Sequence, residues 1–243
     1  MNKLIVVTGG TKGIGRAVLQ KFATEGFDVV VNSRTPNDLE KLADDFKKNY
    51  PKSNCYFLAA DMSDKSQIST FVQFVSGLGR PVDVLVNNAG VFTPGEICTE
   101  PEGSLELMMN TNLYSAYYIT RGLVPFMKER KEGHIFNMCS IASFTAYPNG
   151  GSYAIAKHAL LGFSKCLREE LKPHGIRVTS VMPGATKTAS WEGTDLPDER
   201  FMPAEDVAEM VYSAHSLSKR SAVEEIVIRP HLGDILLQIF RAF

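Results

Sequence analysis

The feature that most constrains this chain is an alternation. Short apolar runs rich in β-branched residues take turns with longer stretches whose apolar positions recur at helical spacing. The runs are Lys3–Val7, Val29–Asn32, Cys55–Ala60, Val82–Val86, His134–Met138, Ile176–Val181 and Glu225–Ile228. Between them the spacing predicts helices over Ile14–Glu25, Asn37–Asn49, Lys65–Ser76, Gly103–Met127, Ser152–Leu171 and Ala204–His215. Ile14, Val18, Leu19 and Phe22 share one face of the first helix, and Ile68, Phe71, Val72 and Val75 one face of the third. Strands that are apolar throughout must be buried on both faces, which implies a parallel sheet with helices on either side. Right-handed crossovers then make the fold class α/β, a doubly wound parallel sheet of the Rossmann kind. Pro125 is the expected stop of the fourth helix, and Pro173 with Gly175 closes the fifth.

A chain of 243 residues suffices for one such domain and is short for two, and no repeat or linker divides it, so residues 1–243 read as a single domain. A net charge of -1 gives no footprint for nucleic acid or an anionic membrane. The five His and four Cys (Cys55, Cys98, Cys139, Cys166) fall into no C-x-x-C or H-x-x-x-H pattern, so no metal site is expected. Scattered thiols fit a cytoplasmic protein. The Leu4–Val7 run is too brief for a signal-peptide core, and no stretch reaches membrane-spanning length.

The first strand runs into Thr8-Gly9-Gly10-Thr11-Lys12-Gly13-Ile14-Gly15, a G-x-x-x-G-x-G loop that opens the first helix. Glycines there permit a tight turn and let backbone N–H groups approach a pyrophosphate at the positive end of the helix. Lys12 is followed by Gly rather than Ser or Thr, so the loop is not a Walker A motif. The second strand ends at Asn32-Ser33-Arg34, where a carboxylate would ordinarily hold a free ribose 2′-hydroxyl. Ser33 and Arg34 occupy that place, the nearest following carboxylate is Asp38, and Lys12 offers a second cation, which points to a 2′-phosphate and hence to NADP(H). Solvated surface charge is the competing reading of Lys12 and Arg34. Asp61 ends the third strand either as an acceptor for an adenine amino group or as a helix cap, a role for which Asp64 is better placed.

Ser140 stands at the end of the fifth apolar run, and Tyr153 and Lys157 lie one helical turn apart thirteen residues further on. A free phenol titrates near pH 10, roughly three units above neutrality. An ammonium one turn away would favour the phenolate and tune it toward a general acid or base. The Ser140 hydroxyl would hold a carbonyl oxygen and its developing alkoxide.

TGGTKGIG at Thr8–Gly15, Asp61-Met62, Asn87-Asn88-Ala89-Gly90, Asn112, Ser140, Tyr153-x-x-x-Lys157 and Pro183-Gly184-x-x-x-Thr188 occur in this order. With these motifs the chain resembles a short-chain dehydrogenase/reductase of the single-domain type, from Lys3 to about Gly233. A narrower likeness, to bacterial sepiapterin reductase-like members, rests on Met109–Leu113, Thr188-x-x-Trp191 and the ending Val223–Ile235. The resemblance implies a dinucleotide held by Gly9, Thr11, Lys12, Gly13, Ile14, Gly15, Ser33, Arg34, Asp61, Met62, Asn88, Ala89 and Gly90, with Tyr153 and Lys157 at its nicotinamide end. It implies that Pro183, Gly184, Thr186 and Thr188 fix the nicotinamide carboxamide, and that Asn112 kinks its helix and serves a proton path together with Ser140, Tyr153 and Lys157. It also implies a homodimer or homotetramer paired through the two long helices.

On this footing the expected activity is NADPH-dependent reduction of a ketone or dicarbonyl, pterin-like compounds included. Oxidation of a 3-hydroxy acid, reduction of a 3-oxoacyl group, and a regulatory NADP-binding protein without turnover are the alternatives. The expected substrate wall comprises Phe92, Phe144, Tyr147 and Trp191, with Phe201 and Met202. Residues 184–202 read as a lid, in which Glu192 and Asp195 read first as solvated charges, with a polar ring edge as the competing partner. The apolar tail, residues 235–243, is expected to pack on its own domain or across a subunit interface.

Overall fold

The computed structural model describes residues 1–188, 191 and 194–235. The apolar tail from residue 236 onward, and Glu192 in the expected lid, lie outside the described residues. Seven parallel strands form one sheet: β1 Leu4–Val7, β2 Asp28–Ser33, β3 Cys55–Ala59, β4 Val84–Asn87, β5 Gly133–Met138, β6 Ile176–Pro183 and β7 Glu225–Ile228. Their order is β3-β2-β1-β4-β5-β6-β7. The helices are α1 Gly13–Thr24, α2 Pro36–Asn49, α3 Lys65–Gly77, α4 Ser104–Met109, α5 Ser115–Arg130, α6 Gly151–Leu171 and α7 Ala204–Ser216. Each strand foreseen from its apolar run is present, within about two residues at the ends.

The sheet is covered on both faces, as its apolar strands require. On one side Ile5, Val7, Val29 and Val31 pack with Val18, Phe22, Leu42 and Val211. On the other, Leu4, Val6, Val30 and Ile135 pack with Phe71, Ile119, Leu123 and Leu171. The chain winds outward from β1 through β2 to β3, then returns to β4 and winds the other way. The strand order therefore reverses between β1 and β4, and a crevice opens at their carboxyl ends.

Two expectations are corrected. The fourth helix does not stop at Pro125; α5 continues to Arg130 with the proline inside it. Pro125 lies on the exposed face, where the carbonyl it leaves without a partner can meet water, and buried Leu123, Val124 and Met127 hold the helix on both sides of it. The same stretch is not the one continuous α-helix expected over Gly103–Met127, and the break falls where the resemblance implies a kink at Asn112. Asn110–Tyr114 forms a π turn between α4 and α5, and Asn112 is buried at its centre.

At the amino ends of β5 and β6 lies a buried aromatic pair. His134 is fully buried, its ring stacks on Phe136 at 4.0 Å, and its Nε2 meets Thr179 Oγ1 at 2.8 Å. Thr179 Oγ1 donates to the Val223 carbonyl, so it accepts from Nε2–H and leaves His134 Nδ1 without a partner. Burial holds the His134 pKa well below 6.5, helped by Arg177 and His215, and burial lowers His215 to about 4. Since both are depressed in the folded state, the unfolded chain takes up protons first. Stability from these groups is full above about pH 7 and lost as the pH falls through 6.5 toward 4. Thermal melts across that window should show a falling midpoint, with a shallower slope in His134→Gln; an identical slope would remove His134 from the acid response.

Candidate active site

The crevice is a cleft of about 880 Å³. Its nucleotide end is built by β1, the following glycine loop and α1. No side chain caps the first turn of α1, whose N-cap is Lys12, so its N–H groups remain for an anionic ligand. A Cβ on Gly15 would stand 2.4 Å from Asn88 Nδ2 and 2.7 Å from the Gly9 carbonyl oxygen, so only glycine lets the loop close against Asn88. Asn88 is tied there in turn, its Nδ2 donating to the Thr8 and Gly9 carbonyls at 2.9 and 3.0 Å. Thr8 Oγ1 accepts from the N–H groups of Asn88 and Ala89 at 3.0 and 2.9 Å. The motif after β4 thus braces the glycine loop from below. A bare, uncapped cradle of backbone donors fits a dinucleotide pyrophosphate.

Gly9, Lys12, Gly13, Ile14, Gly15, Ser33, Arg34, Asp61, Met62, Asn88, Ala89, Gly90, Pro183, Gly184, Thr186 and Thr188 all line the cleft, as the sequence leads one to expect. Thr11 does not; its hydroxyl turns to Ser33 Oγ at 3.3 Å and props the end of β2. Asp61 Oδ1 accepts from the Ser63 N–H and hydroxyl at 2.8 Å, while Asp64 caps α3 through the Ser66 N–H at 2.7 Å. Lys12 Nζ lies 3.3 Å from the Asp38 carboxylate, whereas Arg34 has no carboxylate partner among the described residues.

At the other end, β5 leads directly into Ser140. Ser140 caps a short turn, Ile141–Ser143: its Oγ accepts from the Ala142 N–H at 3.1 Å, and Ser143 Oγ accepts from the Ser140 N–H. The Ser140 hydroxyl and the phenol of Tyr153, in the first turn of α6, line the same part of the cleft, and the hydroxyl pulls the phenol's pKa down. Lys157, one turn on, is buried; its Nζ donates to the Met138 carbonyl at 2.7 Å and lies 5.6 Å from the Tyr153 ring centroid. Asn112 grips the backbone of Val91 in both directions, Oδ1 accepting at 2.9 Å and Nδ2 donating at 3.0 Å. A side chain on Gly90 would meet Asn112 Oδ1 at 2.6 Å, so Asn112 and Lys157 flank the bare backbone there. All four groups line one end of the same cleft.

The electrostatics differ from the sequence expectation. Burial raises the Tyr153 pKa above 10, only partly offset by the nearby Ser140 hydroxyl. Burial lowers Lys157 to about 8. Loss of water thus outweighs the pull of the ammonium on the phenol. Tyr153 is held protonated, the form that can donate.

The substrate wall is also revised. Phe92, Tyr147 and Trp191 line the cleft, and the Phe92 ring meets Tyr153 edge-on at 4.8 Å. Phe144 does not: the Ile141–Ser143 turn throws it outward, where Arg229 covers its ring at 5.6 Å. Phe201 stands behind Trp191, their centroids 5.1 Å apart, and Met202 is buried where it bridges Thr186. Asp195 is not part of the lining. Val91, Pro94, Ile141, Asn149, Thr194 and Ile235 line the cleft and were not foreseen. Asn32, also missed, accepts from the Gly9 N–H at 3.1 Å; a polar residue closing an all-valine strand was its signal.

The short chain dehydrogenase family model matches residues 3–197. The chain belongs to the short-chain dehydrogenases. It is accordingly an oxidoreductase acting on CH–OH or carbonyl groups. It is 33% identical to the sepiapterin reductase of Chlorobaculum tepidum, over 97% of this chain and 99% of that one. An alcohol dehydrogenase from the archaeon Thermococcus sibiricus, solved with 5-hydroxy-NADP, superposes with a TM-score of 0.88 at 25% identity, covering 95% and 97% of the two chains. The L-sorbose reductase of Gluconobacter frateurii, solved with NADPH and L-sorbose, gives 0.87 at 26% identity over 94% and 95%. Among the described residues, no helix of this short-chain dehydrogenase is long and apolar enough to cross a membrane.

Proposed function

We propose that the protein is an NADPH-dependent carbonyl reductase acting on a small neutral ketone or dicarbonyl, pterin-like rings included. The observation that carries this reading is the gathering of Ser140, Tyr153, Lys157 and Asn112 at one end of a cleft whose other end presents the uncapped α1 terminus with Lys12 and Arg34. The related reductase of Chlorobaculum tepidum and the NADP-bound structural neighbours support it.

When bound, the nicotinamide supplies the hydride. The chain's own groups do the rest. Ser140 Oγ and Tyr153 Oη both line the cleft, and a carbonyl oxygen set between them would gain two donors as negative charge develops on it. Tyr153 gives up its proton to that oxygen. Lys157, titrating near neutrality at about 8, is suited to pass a proton back toward the phenol from the Gly90–Asn112 side. The side-chain amide of Asn112 is committed to Val91, so its own part is to hold that flank in place. Arg34 is our candidate for the 2′-phosphate. Lys12 shares its charge with Asp38 and is the weaker candidate.

The wall supports one substrate class over another. Among the described residues the charged side chains lining the cleft are Lys12, Arg34, Asp61 and Lys157. The first three are at the nucleotide end and the fourth is buried beside Tyr153. Among the described residues no further cation lines the cleft to receive a substrate carboxylate, which argues against a 3-hydroxy acid. Phe92, Tyr147, Trp191 and Ile235 instead suit a flat or apolar neutral compound. Screening NADPH oxidation against pteridines, vicinal diketones, 3-oxoacyl thioesters and 3-oxo acids tests this. Turnover with neutral carbonyls alone is expected, and preference for an acid, or none at all, would overturn it.

A further inference from the structure

The helix that carries Tyr153 begins without a cap of its own. Its N-cap is Gly150, which has no side chain, and no acidic residue lies in its first turn. The missing acceptor comes from a distant part of the chain. Glu100, in the segment between β4 and α4, accepts from the Ser152 N–H at 3.3 Å and from the Ser152 hydroxyl. Ser152 is buried, so its two donors depend on this carboxylate.

Two further contacts join the same segments. The Gly95 N–H donates to the Asn149 carbonyl at 3.1 Å. Gly151 has a φ of 36°, and a Cβ there would lie 2.4 Å from the Gly95 carbonyl oxygen and 2.8 Å from Glu100 Oε2. The two backbones are therefore pressed together with room only for glycine, one residue before Ser152 and two before Tyr153. The segment is held at its other end as well, by Asn112 on Val91. Between the two attachments Phe92 leans edge-on against the Tyr153 ring and Pro94 lines the cleft.

We propose that Glu100 is a positioning residue: it caps α6 across the cleft and so sets where the Tyr153 phenol stands relative to Ser140. A carboxylate at a helix start also suits the local dipole. The segment 91–100 and the first turn of α6 become one unit, with the proton donor on one side and the Phe92–Pro94 wall on the other. This rests on Tyr153 being the acid.

The test compares Glu100→Ala, Glu100→Gln and Ser152→Ala with the parent and Tyr153→Phe, using NADPH and a vicinal diketone. Glu100→Ala is expected to lose about tenfold or more in kcat, because a small displacement of a reacting group is costly. Its KM for NADPH should stay within about twofold, since the glycine cradle is untouched. Glu100→Gln keeps an acceptor oxygen and should recover most of the rate, and Ser152→Ala, which keeps the N–H contact, should fall between. If Glu100→Ala is too unstable to assay, the Glu100→Gln and Ser152→Ala pair carries the same comparison. Parent-like kcat in Glu100→Ala or Ser152→Ala, or a parallel rise in the KM for NADPH, overturns the positioning role. If Tyr153→Phe retains parent turnover, the acid assignment itself falls; if it is inactive while Glu100→Ala is fully active, only the role of Glu100 does.

Discussion

Tyr153→Phe should abolish carbonyl reduction while leaving NADPH binding intact. The substitution removes one hydroxyl from the cleft lining and leaves the Phe92 edge contact with the ring. General acid catalysis contributes about 10²–10⁴-fold, so the fall in kcat should lie in that range. The nucleotide cradle is formed by the glycine loop and Asn88 and does not use the phenol. Fluorescence titration with NADPH should therefore give a Kd close to the parent's, and a rate within a few-fold of the parent would remove Tyr153 from the chemistry. Ser140→Ala offers a graded companion. It deletes the second donor to the carbonyl oxygen and also the cap on the Ile141–Ser143 turn, so some loss of thermal stability should accompany its loss of rate.

Arg34→Asp should turn the cofactor preference toward NADH. A hydrogen bond to a charged group is worth about 1.5–3 kcal/mol, which corresponds to roughly ten- to a hundredfold in the NADPH/NADH ratio of kcat/KM. The new carboxylate adds repulsion against a 2′-phosphate and an acceptor for a free 2′-hydroxyl. Lys12→Ala should shift the ratio less, because Asp38 already engages the Lys12 ammonium, which is largely solvent-exposed. Equal shifts in the two variants would mean that Lys12 breaks its pair with Asp38 to meet the phosphate. An unchanged ratio in Arg34→Asp would remove Arg34 from the selection.

What the sequence made legible follows from which residues have only one thing to do. The strands at the middle of the sheet carry unbroken apolar runs, Leu4–Val7, Val29-Val30-Val31 and Val84-Leu85-Val86, because both faces are buried there. The glycine loop was legible for a related reason, since Gly15 admits no side chain against Asn88. Residues with several possible roles were harder. Pro125 is a stop signal in a helix interior, but on a solvated face beside buried Leu123 and Val124 it is tolerated. The π turn at Asn110–Tyr114 has no compositional mark. Phe144 stands between Ser140 and Tyr153 in sequence, yet a three-residue turn carries it out of the cleft. Ile235 and Glu100 reach the site from distant segments, and no local pattern foretells such arrivals. The protonated state of Tyr153 was missed because spacing reports the neighbouring charge and is silent about lost water.

The π turn has a consequence for how this helix can be altered. It acts as a phase slip of one residue between two halves that serve different partners. α4 packs against α6, and α5 packs against α3. An α-helix advances about 100° per residue, so a regular helix could not present both faces from this stretch of chain. Drawing Asn110–Tyr114 into a regular α-helix with no residue removed would turn one half against the other by about that angle. Asn112 would swing away from Val91, and either the α6 contact or the α3 contact would be lost. The irregular turn is thus the gear that lets one length of chain serve both the catalytic wall and the core behind the sheet, and it cannot be drawn into a regular helix at constant length without losing one of them.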